Sequence, residues 1–563
     1  MNDITKKYKK YKLKESNENM KEFCLPKKFK LQPQQEFIPE YLWDNKKTVK
    51  GLLLYHNIGS GKTCTAINIA EKFKKTMNIL IVLPAALIGN FRDELRSKCP
   101  NGENTYITEK ETQRLKEINY TDTEYDDIIN KTNERINKYY TIYSYHKFID
   151  LVQENKIKLN NTLLIIDEIQ NMISMTGIFY KKLSEIINKT NDSLRVILLS
   201  ATPMFDRPVE IALTLNLLRP IELFPIGTDF NNEFLTTIKT NNGIFYKAIN
   251  LKKFKELSNG LISYYRGAPP QAYPEKEFKV VKCTMNDFQY KSYLTSMSTI
   301  TNTTKGSFKD VDILKLPADF FLGPRIISNI AFPNKSIGEI GFSSFKNDAL
   351  QLQNIEKYSI KFFKIFKKIK KSEGPIFVYS NFKEIGGIKS FAKFIEYHGY
   401  KNYKIFGEGE KRYSIWSGDE SHTTKEEIKH VFNQKENADG SKIKIMLGSP
   451  SIKEGVSLLR VDQVHILEPY WNLSRIQQII GRAIRFCSHK DVPKKKQIVK
   501  VYLYLATHHN DESIDEYIWS LAKQKNKLIE QFEHALKEVA IDCKLFHARN
   551  EFKTDEKNIN CNY

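Results

Sequence analysis

Four short stretches of this 563-residue chain carry residue types at spacings suited to phosphate chemistry. The first is Tyr55-His-Asn-Ile-Gly-Ser-Gly-Lys-Thr63, preceded by Leu52, Leu53 and Leu54 and followed by Cys64-Thr-Ala-Ile-Asn-Ile-Ala70. An apolar run, a loop with two glycines, Lys-Thr, and apolar residues at 66, 67, 69, 70 and 73 predict a strand turning into a helix through a phosphate-binding loop. In that loop the backbone of Asn57, Ile58, Gly59, Ser60 and Gly61 closes around phosphate oxygens. Lys62 reaches the outer phosphates, Thr63 holds Mg2+, and the helix N-terminus adds its dipole. His56 stands where the usual G-x-x-x-x-G-K-[ST] spacing asks for glycine, and a Gly/Ser loop that caps a helix without a ligand is the competing reading.

The second stretch, Leu163-Leu-Ile-Ile-Asp167-Glu168-Ile-Gln170, is an apolar strand ending in paired carboxylates. At the C-terminal edge of a parallel sheet, Asp167 would hold Mg2+ and Glu168 would orient the attacking water; taken alone, Asp-Glu there is equally a helix N-cap. The third, Val196-Ile-Leu-Leu-Ser200-Ala201-Thr202-Pro203, is a strand that ends in small hydroxyl residues and reads as a coupling segment or a turn. The fourth, Gln478-Ile-Ile-Gly-Arg482-Ala-Ile-Arg485, puts Gln478, Arg482 and Arg485 on one face if helical, with two rigid donors for a γ-phosphate, or else forms a basic surface helix. Upstream, Leu31-Gln-Pro-Gln-Gln-Glu-Phe37 offers Gln35, whose two-sided amide suits an adenine edge.

The elements that must position these groups alternate between strand and helix patterns. After the loop helix come strands at 79–83 and 140–144, with a helix over 87–95, the pattern of a doubly wound parallel sheet. A second α/β unit begins at Pro375-Ile-Phe-Val-Tyr-Ser380, with a helix at 388–397 and strands near 443–447, 464–467 and 499–504. It has no Lys-Thr loop. The expected division is a mobile basic arm over 1–25, a first lobe over 26–220, a mostly helical insertion over 221–370, a second lobe over 371–510, and a C-terminal helix with a polar tail over 511–563. Tyr264, Tyr265 and Arg266 read as ordinary packing before stacking on nucleic acid.

Composition bounds the class. Such length implies several domains, and 41% hydrophobic residues suit globular folding. No apolar run reaches a membrane span and the N-terminus lacks a signal-peptide core, so no membrane association and no secretion are expected. The net charge of +22 suits a polyanion, although the basic residues are mostly lysine in a chain rich in Asn and Ile, as AT-rich coding sequence produces. Seven scattered cysteines without metal-ligand spacing predict reduced thiols and no zinc.

Together the blocks Leu31–Gln35, Gly59–Thr63, Leu83–Asn90, Asp167–Gln170, Ser200–Pro203, Ser451–Leu458 and Gln478–Arg485 resemble, in order, the motifs of superfamily 2 helicases and translocases. Glu468-Pro-Tyr-Trp-Asn472 is similar to the segment before the arginine block in the Swi2/Snf2-like branch. Arg325-Ile-Ile-Ser-Asn-Ile-Ala-Phe-Pro333, Tyr379-Ser-Asn-Phe382 with Gly386-Gly387, and Ala540-Ile-Asp-Cys543 resemble the poxvirus-type nucleoside triphosphatase I and early transcription factor small subunit of large cytoplasmic DNA viruses and yeast linear plasmids. The resemblance implies an α/β fold of two RecA-like parallel-sheet lobes. It also implies ATP and Mg2+ as cofactors, and ATP roles for Gln35, Lys62, Thr63, Asp167, Glu168, Gln478, Arg482 and Arg485, with Gly455 at the nucleotide. The implied activity is DNA-stimulated ATP hydrolysis in viral transcription, on double-stranded DNA and beside a viral RNA polymerase or transcription-factor subunit. The implied location is the viral factory in host cytoplasm, with packaging in the virion. Two departures stand out: Gln170 replaces the histidine common in these viral relatives, and Glu454 precedes Gly455 where a small pair is usual.

Overall fold

The computed structural model describes the chain except residues 1, 15–23, 25–28, 119–121, 175–176, 241–242, 305–313, 315–319, 454–455, 553–556 and 562–563. It divides into two compact units: Met1–Thr236 with Tyr246–Pro269 and Leu528–Tyr563, and Thr237–Phe245 with Pro270–Lys527.

The first unit is built on six parallel strands. They are β1 (Gly51–His56), β2 (Asn78–Leu83), β3 (Tyr140–Ser144), β4 (Thr162–Ile166), β5 (Arg195–Ser200) and β8 (Ile262–Tyr265), in the order β3-β2-β4-β5-β1-β8. β1 and β4 are buried along their whole length, which is why they read as unbroken apolar runs: helices cover both faces of the sheet. Leu52 and Leu54 share a core with Ile67, Ile69 and Phe73 of the helix Lys62–Phe73 and with Phe37 of the helix Pro33–Asp44.

The second unit carries seven parallel strands. They are β9 (Glu275–Thr284), β10 (Ile376–Tyr379), β11 (Lys401–Asn402), β12 (Arg412–Trp416), β13 (Ile445–Gly448), β14 (Gln463–Ile466) and β15 (Ile498–Thr507), in the order β11-β12-β13-β10-β14-β15-β9. On β10 the side chains alternate between two cores: Ile376 and Val378 pack with Phe362, Ile365 and Phe391, and Phe377 and Tyr379 with Ile476, Ile479 and Val464. A separate pair, β6 (Leu235–Thr240) and β7 (Gly243–Ala248), completes the strands.

Three expectations are corrected. The stretch 221–370 is not simply a helical insertion: beside its helices it supplies β6 to β9. β8 closes the first sheet beside β1, and β9 pairs with β15 over ten residues, from Glu275↔Ile498 to Thr284↔Thr507. Their sequences, Ile-Ser-Tyr-Tyr and Glu-Lys-Glu-Phe-Lys-Val, hide this because β8 has only four residues and the edge strand β9 exposes its polar half. Part of the basic arm is ordered: Asn2–Lys7 is helical, Tyr8 packs buried against Phe37 and Tyr41, and the Leu13 amide donates to Leu545 O. The aromatic bodies of Tyr8 and Tyr11 supply the apolar surface that a count of lysines conceals.

The thiols are the third. Cys64 is bonded to Cys99 and Cys543 to Cys561, each pair with Cα atoms 5.6 Å apart, while Cys283 is a buried free thiol. Separations of 35 and 18 residues gave no local signal, because folding alone brings each pair together.

Among the described residues no helix is long and apolar enough to cross a membrane.

Candidate functional site

In the first unit β1, β4 and β5 all run toward the same edge, Tyr55 lying opposite Ser200 and Leu164 opposite Val196. The phosphate-loop candidate leaves that edge directly after His56. Gly59 and Gly61 both adopt φ 78°, the left-handed region, and Gly61 caps the helix Lys62–Phe73. A Cβ on Gly61 would stand 2.5 Å from Gln35 Nε2, the end of a flexible side chain that can swing aside, so it is the left-handed backbone that asks for glycine there. Asn57 N–H donates to Tyr265 O and Ser60 N–H to Asn57 O, closing the start of the loop, and Ile58 lies within that turn. Thr63 is the second residue of the helix.

Two glutamines hold the loop from the helix Pro33–Asp44. Gln35 Oε1 accepts from Gln32 N–H at 2.7 Å in a capping box, while its Nε2 faces Gly61 O at 3.4 Å. Gln34, which the sequence reading passed over for its neighbour, donates Nε2 to Ser60 O at 3.1 Å. The tandem Gln34-Gln35 was the available signal, since adjacent helical positions point to different parts of one loop.

Lys62 Nζ lies 3.0 Å from Glu168 Oε1 and 3.6 Å from Asp167 Oδ1. Burial pulls its ammonium down, but the two carboxylates outweigh this and hold Lys62 above the ordinary lysine range. Burial in turn pushes the Asp167 carboxyl up, to about 6, against the opposing pull of Lys62. Glu168 sits at φ 51°, an uncommon conformation for a side chain of its size. The Tyr145 hydroxyl fixes this corner by donating toward the carbonyls of Asp167 at 2.5 Å and Glu168 at 2.9 Å. Its signal was its place directly after the strand 140–144.

From Glu168 the contacts continue. Gln170 Nε2 donates to Glu168 Oε2 at 2.5 Å, and its Oε1 accepts from Ser200 Oγ at 2.7 Å. Ser200 Oγ also accepts from Thr202 N–H at 3.0 Å across Ala201. The candidate catalytic and coupling residues of this unit therefore form one line of side chains, Lys62–Glu168–Gln170–Ser200, and the amide at 170 uses both of its ends. Thr63 and Asp167 are hard oxygen donors of the kind Mg2+ takes. The buried Ser60 Oγ and Gln34 Oε1 have no hydrogen-bond partner among the described residues, and a polyphosphate with its hydrated cation supplies the chemistry to satisfy them.

The second unit holds the other candidates. Gln478 and Arg482 lie on the helix Leu473–Ala483, N-capped by Asn472. Arg485 falls two residues beyond its end, so a single helical face for all three is corrected. The two guanidiniums nevertheless converge: Arg482 Nη1 and Arg485 Nη1 both reach Val456 O at 3.4 Å, and Arg485 also donates to Ser457 Oγ. Gly455 lies outside the described residues.

Behind this helix is a buried polar hub. Glu468 accepts from Asn329 Nδ2 at 2.8 Å, from Ser380 Oγ and from Asn381 N–H; Asn329 Oδ1 accepts from Lys361 Nζ at 2.9 Å, and that ammonium pairs with Asp515 at 2.6 Å. Arg325 lies over the rings of Trp471 and Phe382, and Arg475 over that of Tyr470. Lys361 and Asp515 were missed in the sequence. The sole signal was a lysine at an inward position of the stripe Phe362, Ile365, Phe366 and Ile369.

Residues 34–322 match the SNF2-related domain and residues 360–487 the helicase conserved C-terminal domain. A protein of Acanthamoeba polyphaga mimivirus named "Putative ATP-dependent RNA helicase" is 50% identical over 99% of this chain and 96% of its own length. A second mimivirus protein with the same description is 29% identical over 97% of this chain and 78% of its own. A "Termination factor NPH-I homolog" of African swine fever virus is 25% identical over 90% of this chain and 78% of its own.

Proposed function

The chain belongs to the SNF2-related family of superfamily 2 helicases and is an ATP-hydrolysing enzyme; from that premise we propose that it is a DNA-stimulated translocase or helicase serving viral transcription. The observation that carries this reading is the line Lys62–Glu168–Gln170–Ser200, which links the phosphate loop to the exit of β5. A motor needs such a link, because hydrolysis does work only if the state of the phosphate is felt elsewhere.

In this reading the N–H groups of the 57–61 loop and Lys62 bind the β- and γ-phosphates, and Gln35 reads the adenine. Mg2+, held by Thr63 and Asp167, neutralises phosphate charge when bound. Lys62 leaves Glu168 for phosphate, which frees that carboxylate to orient water and take its proton. Arg482 and Arg485 are assigned to charge on the transferred group, and Gln478 to orienting them. The partner is double-stranded DNA, with a viral polymerase or transcription-factor subunit, in the cytoplasmic viral factory and the virion.

A second reading has its own support. The African swine fever virus relative is named a termination factor, and a subunit that binds DNA and polymerase under nucleotide control needs no strand separation. The names of the mimivirus relatives favour RNA as the polymer. One experiment separates these: ATPase of the purified protein with duplex DNA, single-stranded DNA and RNA side by side, together with strand displacement. Greatest stimulation by duplex DNA is expected. Stimulation by RNA alone refutes the DNA reading, and polymerase retention with no displacement or translocation favours the gated subunit.

A further inference from the structure

The C-terminal segment after residue 538 lies beyond both family matches, yet it packs along β8, the strand beside the phosphate-loop strand. Ile541 N–H donates to Ile262 O at 2.8 Å, and Asn550 pairs with Arg266 N–H and Tyr264 O, each at 2.9 Å. At the centre of this seam is a buried chain of three side chains. Asp542 accepts from Tyr264 N–H at 2.9 Å and from Ser263 Oγ, and Ser263 Oγ meets His56 Nε2 at 2.9 Å. His56 and Asp542 are fully buried, and neither is explained by the hydrolytic chemistry.

Proton counting fixes the imidazole. With Asp542 ionised, as it is above the value of about 7 to which burial raises it, Ser263 gives its one hydroxyl proton to that carboxylate and its oxygen must accept from His56 Nε2–H. His56 is then the Nε2–H tautomer, and Nδ1 is a bare lone pair. That Nδ1 is buried and has no hydrogen-bond partner among the described residues. It belongs to the residue that opens the phosphate loop, near enough to Lys62 for the ammonium to oppose its protonation.

We propose that Asp542, acting through Ser263, is a positioning residue that locks His56 in the Nε2–H tautomer and so presents an acceptor to the loop that binds ATP. This rests on reading 57–63 as the ATP loop. An acceptor at Nδ1 is open to a loop N–H or to the Lys62 ammonium once that ammonium leaves Glu168 as the loop closes on nucleotide; a donor there would repel both. The C-terminal segment is thus part of the nucleotide site by way of Ser263 and His56.

The test uses the full-length chain with Asp542→Asn, Ser263→Ala and Ser263→Thr. In Asp542→Asn, one amide oxygen must serve Tyr264 N–H, so the NH2 group donates to Ser263 and the hydroxyl turns to His56 Nε2. The tautomer inverts. At alkaline pH, 15N spectra of histidine-labelled protein should show one Nε2–H imidazole in the wild type that becomes Nδ1–H in Asp542→Asn, with His56→Gln identifying the signal. The Asp542→Asn and Ser263→Ala variants should raise KM for ATP about tenfold with kcat within about threefold, the loss of one hydrogen bond that Nδ1 accepts only when the loop closes on nucleotide, and Ser263→Thr should restore it. An Nδ1–H signal in the wild type, or an unchanged KM in a stably folded Ser263→Ala, overturns the proposal. The tautomer is read without ATP, so failure of the ATP-loop reading shows separately as absent nucleotide binding in the wild type.

Discussion

Lys361→Met isolates the energetics of the buried hub in the second unit. The Lys361 ammonium is fully buried, as is its partner Asp515, at 2.6 Å. Methionine keeps most of the stem volume, so the cavity term is small and the charge term dominates. Among the described residues the variant leaves Asp515 with the donor Ala506 N–H at 2.8 Å, and it leaves Asn329 Oδ1 without its ammonium. A buried carboxylate left facing no cation is the costly case of breaking an ion pair from one side. With about 1 kcal/mol for the Asn329 contact, the expected loss is about 3–5 kcal/mol, the usual cost of breaking a buried pair from one side. Urea unfolding followed by tryptophan fluorescence reports on this unit, since Trp416, Trp471 and Trp519 lie in it and Trp43 in the other. The midpoint should fall by roughly 1–2 M. The double variant Lys361→Met/Asp515→Asn, with both charges gone and an acceptor kept for Ala506, should recover more than half of the loss. A single variant within about 1 kcal/mol of wild type, or a double variant as unstable as the single, refutes the reasoning.

Glu168→Gln should lower kcat for ATP hydrolysis by about a thousandfold while ATP binding by fluorescent-analogue titration is retained, because the amide cannot take the proton from water. Gln170→Ala should cut the Glu168–Ser200 link and lower translocation more than hydrolysis; equal losses in ATPase and translocation rates count against a coupling role. His465 is buried with Nδ1 on Tyr504 OH and Nε2 on Gln463 Oε1, and burial lowers it to about 3 from an ordinary value of 6.5. The unfolded chain therefore binds one more proton there as pH falls below 6.5, and stability of the second unit falls by about 1.4 kcal/mol per pH unit down to the folded value. His465→Gln should flatten the urea-midpoint profile by that one proton. Cys99→Ser should destabilise the first unit by about 4 kcal/mol under oxidising conditions and by little in reductant, since the Cys64–Cys99 bond closes a span of 35 residues.

The parts of the fold legible in the sequence share one property: their signal is local. β1, β4 and β5 are continuous apolar runs because both sheet faces are covered, and the loop after β1 needs glycine at 59 and 61 for backbone reasons visible in the string itself. The helix Ile514–Glu538 was equally plain from its apolar spacing. What was missed depends on partners distant in the chain. β9 is a strand because β15, more than two hundred residues later, offers it an edge. Lys361 is buried because Asp515 and Asn329 surround it, and Asp542 matters because Ser263 and His56 meet it. The disulfides belong to the same group. At the site, residue types were readable but their connections were not: Gln170 looked like a departure from the histidine of related sequences, and only the geometry showed its amide engaging Glu168 on one side and Ser200 on the other.

An amide at 170 also changes how the contacts between Glu168 and Ser200 respond to acid. An imidazole between a carboxylate and a serine hydroxyl changes its hydrogen-bond capacity when it gains a proton near neutral pH, so the link it makes weakens or reverses as the surroundings acidify. An amide has no such step; it presents one donor end and one acceptor end at every pH a cell reaches. The amide at 170 therefore brings no titrating group of its own between Glu168 and Ser200, and what acid sensitivity this line has comes from the carboxylates beside it, such as Asp167, which burial raises to about 6.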